Sequence, residues 1–163
     1  MPIGRFFGGI GALLWRPSDG RYLVLKRSEA KDAGAGTWEC ISGRVDQGEG
    51  FTEAVHREVS EELDLRAQRV QIDFIVGTEH FYRGEALPEN ELLLVQFCCT
   101  VQEPAEIKLS WEHSEYRWVT AQEAEDLLPS GHWLGTVIRR AESIRALLPV
   151  ELLEYYRVQG LEL

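Results

Sequence analysis

The sequence is short of cysteine, of positive charge and of long apolar runs, and each shortage narrows what the chain can be. Its three cysteines, Cys40, Cys98 and Cys99, are odd in number and form no C-x-x-C pair. That argues against a disulfide framework or a structural zinc site and fits buried thiols in a reducing compartment. Lysine and arginine total 17 against 27 aspartates and glutamates, a net charge of −10. With no basic stretch to offset this, a grip on the phosphates of a nucleic-acid polymer is not expected. An acidic chain can still accept a phosphate group when divalent cations bridge the two. No apolar run approaches the roughly 20 residues that a membrane-spanning helix needs, so no membrane partner is expected. Arg5 followed by Phe6 to Trp15 loosely imitates a secretory leader, but Gly8, Gly9 and Gly11 interrupt it and no small-x-small cleavage site follows. It reads as a first strand, with the cytoplasm as the expected location.

What is present is an ordinary globular composition, 44% hydrophobic over 163 residues, with no repeat, linker or low-complexity tract, so a single domain over residues 1–163 is expected. Phe6 to Trp15 and Tyr22 to Lys26 flank the turn Pro17-Ser18-Asp19-Gly20 and read as a hairpin. Thr37 to Ser42 reads as a short strand. A loop with three glycines, Gly43 to Gly50, leads into a helix that Thr52 is placed to cap and that runs to about Leu63. Val70 to His80, Glu91 to Val101 and Tyr116 to Val119 read as strands. Ala121 to Leu128, His132 to Leu148 and Val150 to Arg157 read as helices, the last two divided by Pro149. Strands and helices are mixed without regular alternation, which predicts an α+β fold with a mixed sheet flanked by helices.

The chemistry concentrates in GRVDQGEGFTEAVHREVSEELDL, Gly43 to Leu65. On a helix at about 100° per residue, Glu61 and Glu62 fall near −60° and +40° of Glu58, so three carboxylates fan across one face. Val55, Val59 and Leu63 form an apolar stripe beside and partly under that fan. Anions this close repel one another unless something positive lies between them, and a hard divalent cation with oxygen ligands, Mg²⁺ or Mn²⁺, meets that need. Arg57 points about 100° away from Glu58 around the helix and is expected to pair with Glu49, holding the glycine loop onto the helix.

This segment resembles the Nudix box: Gly, five residues, Glu, seven residues, then Arg-Glu-apolar-x-Glu-Glu-x-Gly-apolar. The matching positions are Gly43, Glu49, Arg57, Glu58, Val59, Glu61, Glu62 and Leu65, while Asp64 stands where the family usually has glycine. A left-handed helix end at that site suits Asp better than most residues. The resemblance implies a Nudix-type mixed β-sheet sandwiched between α-helices. It also implies Mg²⁺-dependent hydrolysis of a small nucleoside diphosphate derivative, with Glu58, Glu61 and Glu62 holding metal. The backbone carbonyl of Ser42 is a further metal ligand by analogy, and Glu49 and Arg57 orient the loop and the carboxylates. Homodimers are frequent in the family.

Downstream, LSWEHSEYRW, Leu109 to Trp118, is similar to diadenosine tetraphosphate hydrolases and, more loosely, to dihydroneopterin triphosphate hydrolases. By that resemblance Glu112 is an extra metal ligand or the general base, with Glu115 the alternate. Tyr82 and Trp111 are candidate stacking residues for a base, Arg44 a further substrate contact, and His113 a shaper of the loop. Two other readings stay open. One is a non-catalytic nucleotide sensor on the same fold, although 163 residues leave little room for an effector segment. The other is an isopentenyl-diphosphate isomerase-like enzyme, for which Cys40 would have to serve a metal site.

Overall fold

In the computed structural model, residues 4–31 and 34–159 are described. Seven strands, β1 (Phe7–Arg16), β2 (Arg21–Arg27), β3 (Trp38–Glu39), β4 (Ile41–Arg44), β5 (Val70–Tyr82), β6 (Glu91–Val101) and β7 (His113–Val119), form one mixed sheet. Four helices accompany it: α1 (Phe51–Leu63), α2 (Ala121–Leu127), α3 (Trp133–Leu147) and α4 (Val150–Gln159).

Strand β1 is the organiser. It runs parallel to β6 along one side, while its other side is shared between β4, paired from Gly9 to Ala12, and β2, paired at Trp15 and Arg16. Strand β5 closes the β6 side antiparallel, and β2 carries β3 and β7 on its two flanks. The sheet therefore forks at β1, and the wing β3-β2-β7 stands beside the segment β4 that leads into α1.

Strand alternation sorts the core into two layers. Ile10, Ala12, Leu14, Leu23, Leu25, Ile41, Phe97 and Cys99 face α1, where Ala54, Val55, Val59 and Leu63 meet them. Leu13, Tyr22, Val24, Cys40, Phe74 and Cys98 face α2 and α3, packing on Ala124, Leu134, Val137, Ile138 and Ala141. On that second face Arg145 is held by aromatic surfaces as well as charge: its guanidinium lies 3.7 Å from the Trp15 ring and 3.4 Å from the buried carboxylate of Asp73. All three cysteines are buried free thiols, as expected.

Two local readings are corrected. Thr37 to Ser42 is not one strand but parts of two, because the chain leaves β2 after Glu39 and joins β1 from Ile41. Thr52 does not cap α1: the helix starts at Phe51, Gly50 is the capping residue, and its N–H donates to the Glu53 carboxylate at 2.7 Å. At the other end Asp64 adopts the left-handed conformation (φ 54°, ψ 26°) expected where relatives carry glycine.

The layered packing gives a paired test on α3. Ile138 is 1% exposed and Leu147 is 81% exposed. Ile138→Ala should lose about 2–5 kcal/mol and Leu147→Ala less than about 0.5 kcal/mol in urea titrations at one pH. Comparable losses at both positions would show that α3 is not packed as described.

Candidate active site

The site is built where α1 crosses the fork in the sheet, and its glutamates are buried in steps. The side chain of Glu61 is 60% exposed, that of Glu58 13% and that of Glu62 4%. This is the consequence of the fan lying partly over the apolar stripe. Gly43 makes the close approach of Glu58 possible, because a Cβ added there would lie 1.8 Å from Glu58 Oε1.

Arg57 binds the loop to the helix. Its Nε and Nη2 donate to the two oxygens of Glu49 at 2.8 and 2.9 Å, and Nη2 also donates to the carbonyl of Arg44 at 2.8 Å. The expected Arg57–Glu49 tie is thus present. The expectation that Arg57 points away from Glu58 is corrected: Nη1 reaches Glu58 Oε1 at 2.7 Å and Glu61 Oε2 at 3.4 Å. The long guanidinium arm crosses the angle that separates their Cβ atoms. Held by Arg57 and by the amide of Asp46, the Glu49 carboxyl drops to about 2.

Glu62 has the opposite environment. Burial, then the nearby charges of Glu39 and Glu58, push its carboxyl well above the usual range, against a hydrogen bond from the Ser42 amide and the charge of Lys31. Burial also raises Glu58, opposed chiefly by Arg57. Glu62 Oε2 has no hydrogen-bond partner among the described residues.

Behind Glu62 lies a buried line that motif reading missed. Arg27 Nη1 donates to both oxygens of Glu39 at 2.8 Å, and Glu39 Oε1 is 3.0 Å from His113 Nε2. The other ring nitrogen of His113, Nδ1, faces Glu62 Oε2 at 3.7 Å. The signal that could have found Glu39 is a charged residue inside the short apolar segment Trp38 to Ile41, on a strand two away from that of a histidine of unexplained purpose.

The NUDIX domain family model matches residues 6–141. The chain belongs to the Nudix family. Among curated relatives, an octanoyltransferase of Myxococcus xanthus is 31% identical over 120 residues, 74% of this chain, and the chain spans only 32% of that protein's length. The nucleoside triphosphatase NudI of Escherichia coli is 28% identical over 136 residues, covering 80% of this chain and 92% of that protein. Among solved structures, a binary complex of the Caenorhabditis elegans Ap4A hydrolase superposes with a TM-score of 0.70 at 22% identity, covering 87% of this chain and 99% of that one. The last is a likeness of fold, and the mixed sheet between helices is the Nudix architecture. The chain is a Nudix hydrolase, and the box lies on α1 and the loop before it.

The other candidate residues are dispersed. The Glu112 carboxylate contacts the Lys31 ammonium, which also lies 5.3 Å from the Trp111 ring centroid. Glu115 is paired instead with Arg117 at 2.6 Å. Arg44 lies over the Phe7 ring, 5.5 Å from its centroid. Tyr82 ends β5 and packs edge-on against His80, whereas Trp111 lies in the loop before β7, and in the sheet β6, β1 and β2 stand between β5 and β7. The Ser42 amide is engaged by Glu62. Cys40 belongs to the opposite face of the sheet, 3.8 Å from Gln96 Oε1, and burial pushes its thiol up, which argues against a thiol-bearing metal site beside α1. Among the described residues no helix is long and apolar enough to cross a membrane.

The acidic face fits a hard divalent cation by its chemistry: oxygen donors only, two of them destabilised as anions by burial, and one buried oxygen without a partner. It is not preassembled. Among the described residues no three His, Cys, Asp or Glu side chains already stand in a metal-holding arrangement, since Glu58 and Glu61 turn to Arg57 while Glu62 turns inward.

The raised carboxyl of Glu62 has a signed consequence. The folded protein binds its proton more tightly than the unfolded chain, so in cation-free buffer stability falls as pH rises from about 4.5 through the folded value. Glu62→Gln removes that loss. By calorimetry in chelator its Tm should exceed the wild-type Tm at neutral pH and converge with it in acid. A neutral-pH Tm at or below wild type would contradict the assignment.

Proposed function

We propose that this Nudix hydrolase cleaves the pyrophosphate linkage of a nucleoside polyphosphate, a dinucleoside polyphosphate or a (d)NTP-like molecule. Glu58, Glu61 and Glu62 hold the divalent cation, Mg²⁺ or Mn²⁺, with the Ser42 carbonyl and Glu112 as further oxygen ligands. The observation that carries the reading is the pair Glu58 and Glu62, two buried neighbouring carboxylates, each raised by burial and by the other acidic groups around it, with Glu58 against Gly43. When bound, such a cation neutralises the pyrophosphate, polarises phosphorus and makes the attacking water more acidic.

The chain's own residues supply the remainder. Arg57 and Glu49 keep the loop and the carboxylates in register. Glu61, the exposed member of the fan, is the carboxylate best reached by solvent and the first choice to take the proton of the attacking water, with Glu112 as the second. Arg44, Tyr82 and Trp111 contact the substrate. The nucleoside triphosphatase among its sequence relatives supports the substrate class. The protein is proposed to act in the cytoplasm as a single domain and as a homodimer, without a nucleic-acid polymer or a membrane as partner.

The test is turnover of Glu61→Gln and Glu62→Gln over dinucleoside polyphosphates, (d)NTPs, ADP-ribose and nucleotide sugars, with Mg²⁺ or Mn²⁺ and ¹⁸O-labelled water. Each variant should lose about 10²–10⁴-fold in kcat with an unchanged far-ultraviolet circular dichroism spectrum, and the label should appear on phosphorus. Full turnover in both variants, or a label absent from phosphorus, would remove the proposal.

A further inference from the structure

We propose that His113 is a positioning residue that fixes the inner oxygen of Glu62, so that the strand wing β3-β2-β7 sets the orientation in which Glu62 meets its cation. The inference rests on Glu62 being a cation ligand, as proposed above. Four observations carry it.

First, His113 is placed from outside the helix. It begins β7, where it pairs with Arg27 of β2, and its Nε2 lies 3.0 Å from Glu39 Oε1 of β3. Arg27 donates to both oxygens of that same carboxylate, so Glu39 is an anchored acceptor and the imidazole plane is held. Second, the nitrogen that remains, Nδ1, points at Glu62 Oε2 from 3.7 Å, roughly half an ångström beyond a good hydrogen bond. Third, these two atoms, His113 Nδ1 and Glu62 Oε2, are both buried without a partner among the described residues. The side chains are 2% and 4% exposed, so solvent does not serve either. Buried polar atoms without a partner are few in native proteins, and each calls for a reason such as a functional role or a bound ion. Fourth, the backbone around His113 is tied to the same helix end: the Ser110 N–H donates to the Glu62 carbonyl at 2.9 Å and the Lys108 N–H to the Leu63 carbonyl at 3.0 Å.

The geometry leaves Glu62 with one oxygen directed at His113 while its carboxylate also accepts from the Ser42 amide on the side of Gly43 and the loop. A carboxylate held this way loses less rotational freedom when it takes a cation, and outer partners of this kind commonly alter metal affinity about 10–100-fold. The same imidazole also fixes the start of β7 next to Glu112, whose carbonyl accepts from the Ser28 N–H at 2.8 Å. His113 thus relates the two acidic elements of the site without touching substrate.

The experiment titrates Mn²⁺ alone, in the absence of nucleotide, into wild type, His113→Ala, Glu62→Gln and the double variant, reading free Mn²⁺ by its electron paramagnetic resonance signal. Calorimetry on each protein records folding, and His113→Gln, which keeps a donor for Glu39, replaces His113→Ala if the latter does not melt cooperatively. His113→Ala should weaken Mn²⁺ binding at least about tenfold, Glu62→Gln should weaken it too, and the double variant should bind no worse than Glu62→Gln. With Mn²⁺ restored to saturation, kcat of His113→Ala should recover further than that of Glu62→Gln. A lowered Tm with Mn²⁺ affinity within twofold of wild type would show His113 to be structural only and overturn the inference while leaving the ligand role of Glu62 standing. Multiplicative losses in the double variant would also overturn it. Unchanged Mn²⁺ binding in Glu62→Gln would remove the ligand assignment and the inference together.

Discussion

The constraint on which the rest depends is the crowding of carboxylates where α1 meets the sheet. Glu49, Glu58 and Glu61 gather on one guanidinium, that of Arg57, Glu39 is answered by Arg27 and Glu112 by Lys31. Glu62, by contrast, accepts from the Ser42 amide and feels the charge of Lys31, and burial still pushes its carboxyl up. Negative charge in a half-buried pocket that protein cations balance incompletely is an unfavourable arrangement for a scaffold and a favourable one for holding a small hard cation.

The fold makes this arrangement by simple means. Because β1 shares one of its sides between β4 and β2, α1 lies on β1 and β4, while the loop before β7 is tied to its C-terminal end by the Lys108 and Ser110 N–H groups, which donate to the Leu63 and Glu62 carbonyls. The apolar stripe of Val55, Val59 and Leu63 draws α1 against the first core layer, and Glu62, about 20° from Val55 at the edge of that stripe, is carried inward with it. The same burial that stabilises the helix destabilises the charge of Glu62, so the structural and electrostatic features of the site have one origin.

Much of this was legible along the chain because it is local. The box, the fan of glutamates, the Arg57–Glu49 tie and the left-handed Asp64 all lie within 23 consecutive residues, Gly43 to Leu65, where helical geometry relates positions directly. What was not legible depends on reach or on pairing. Arg57 contacts Glu58 because a guanidinium arm outreaches a helical-wheel angle. Glu39, Arg27 and His113 meet only through the register of three strands, with Glu39 and His113 74 residues apart in sequence. Thr52 has the right chemistry for a cap, yet Gly50 is chosen because the loop enters the helix two residues earlier. Glu112 lies where the resemblance put it in sequence, but its partner, Lys31, comes from the loop after β2, which carries no motif.

The central claim, that the acidic face of α1 lacks positive charge and accepts a divalent cation, is tested most directly by differential scanning calorimetry of the wild-type protein. Mg²⁺ should raise Tm in a saturable, concentration-dependent manner that K⁺ at matched ionic strength does not reproduce. A Tm indifferent to Mg²⁺ and Mn²⁺ over the millimolar range would contradict the account.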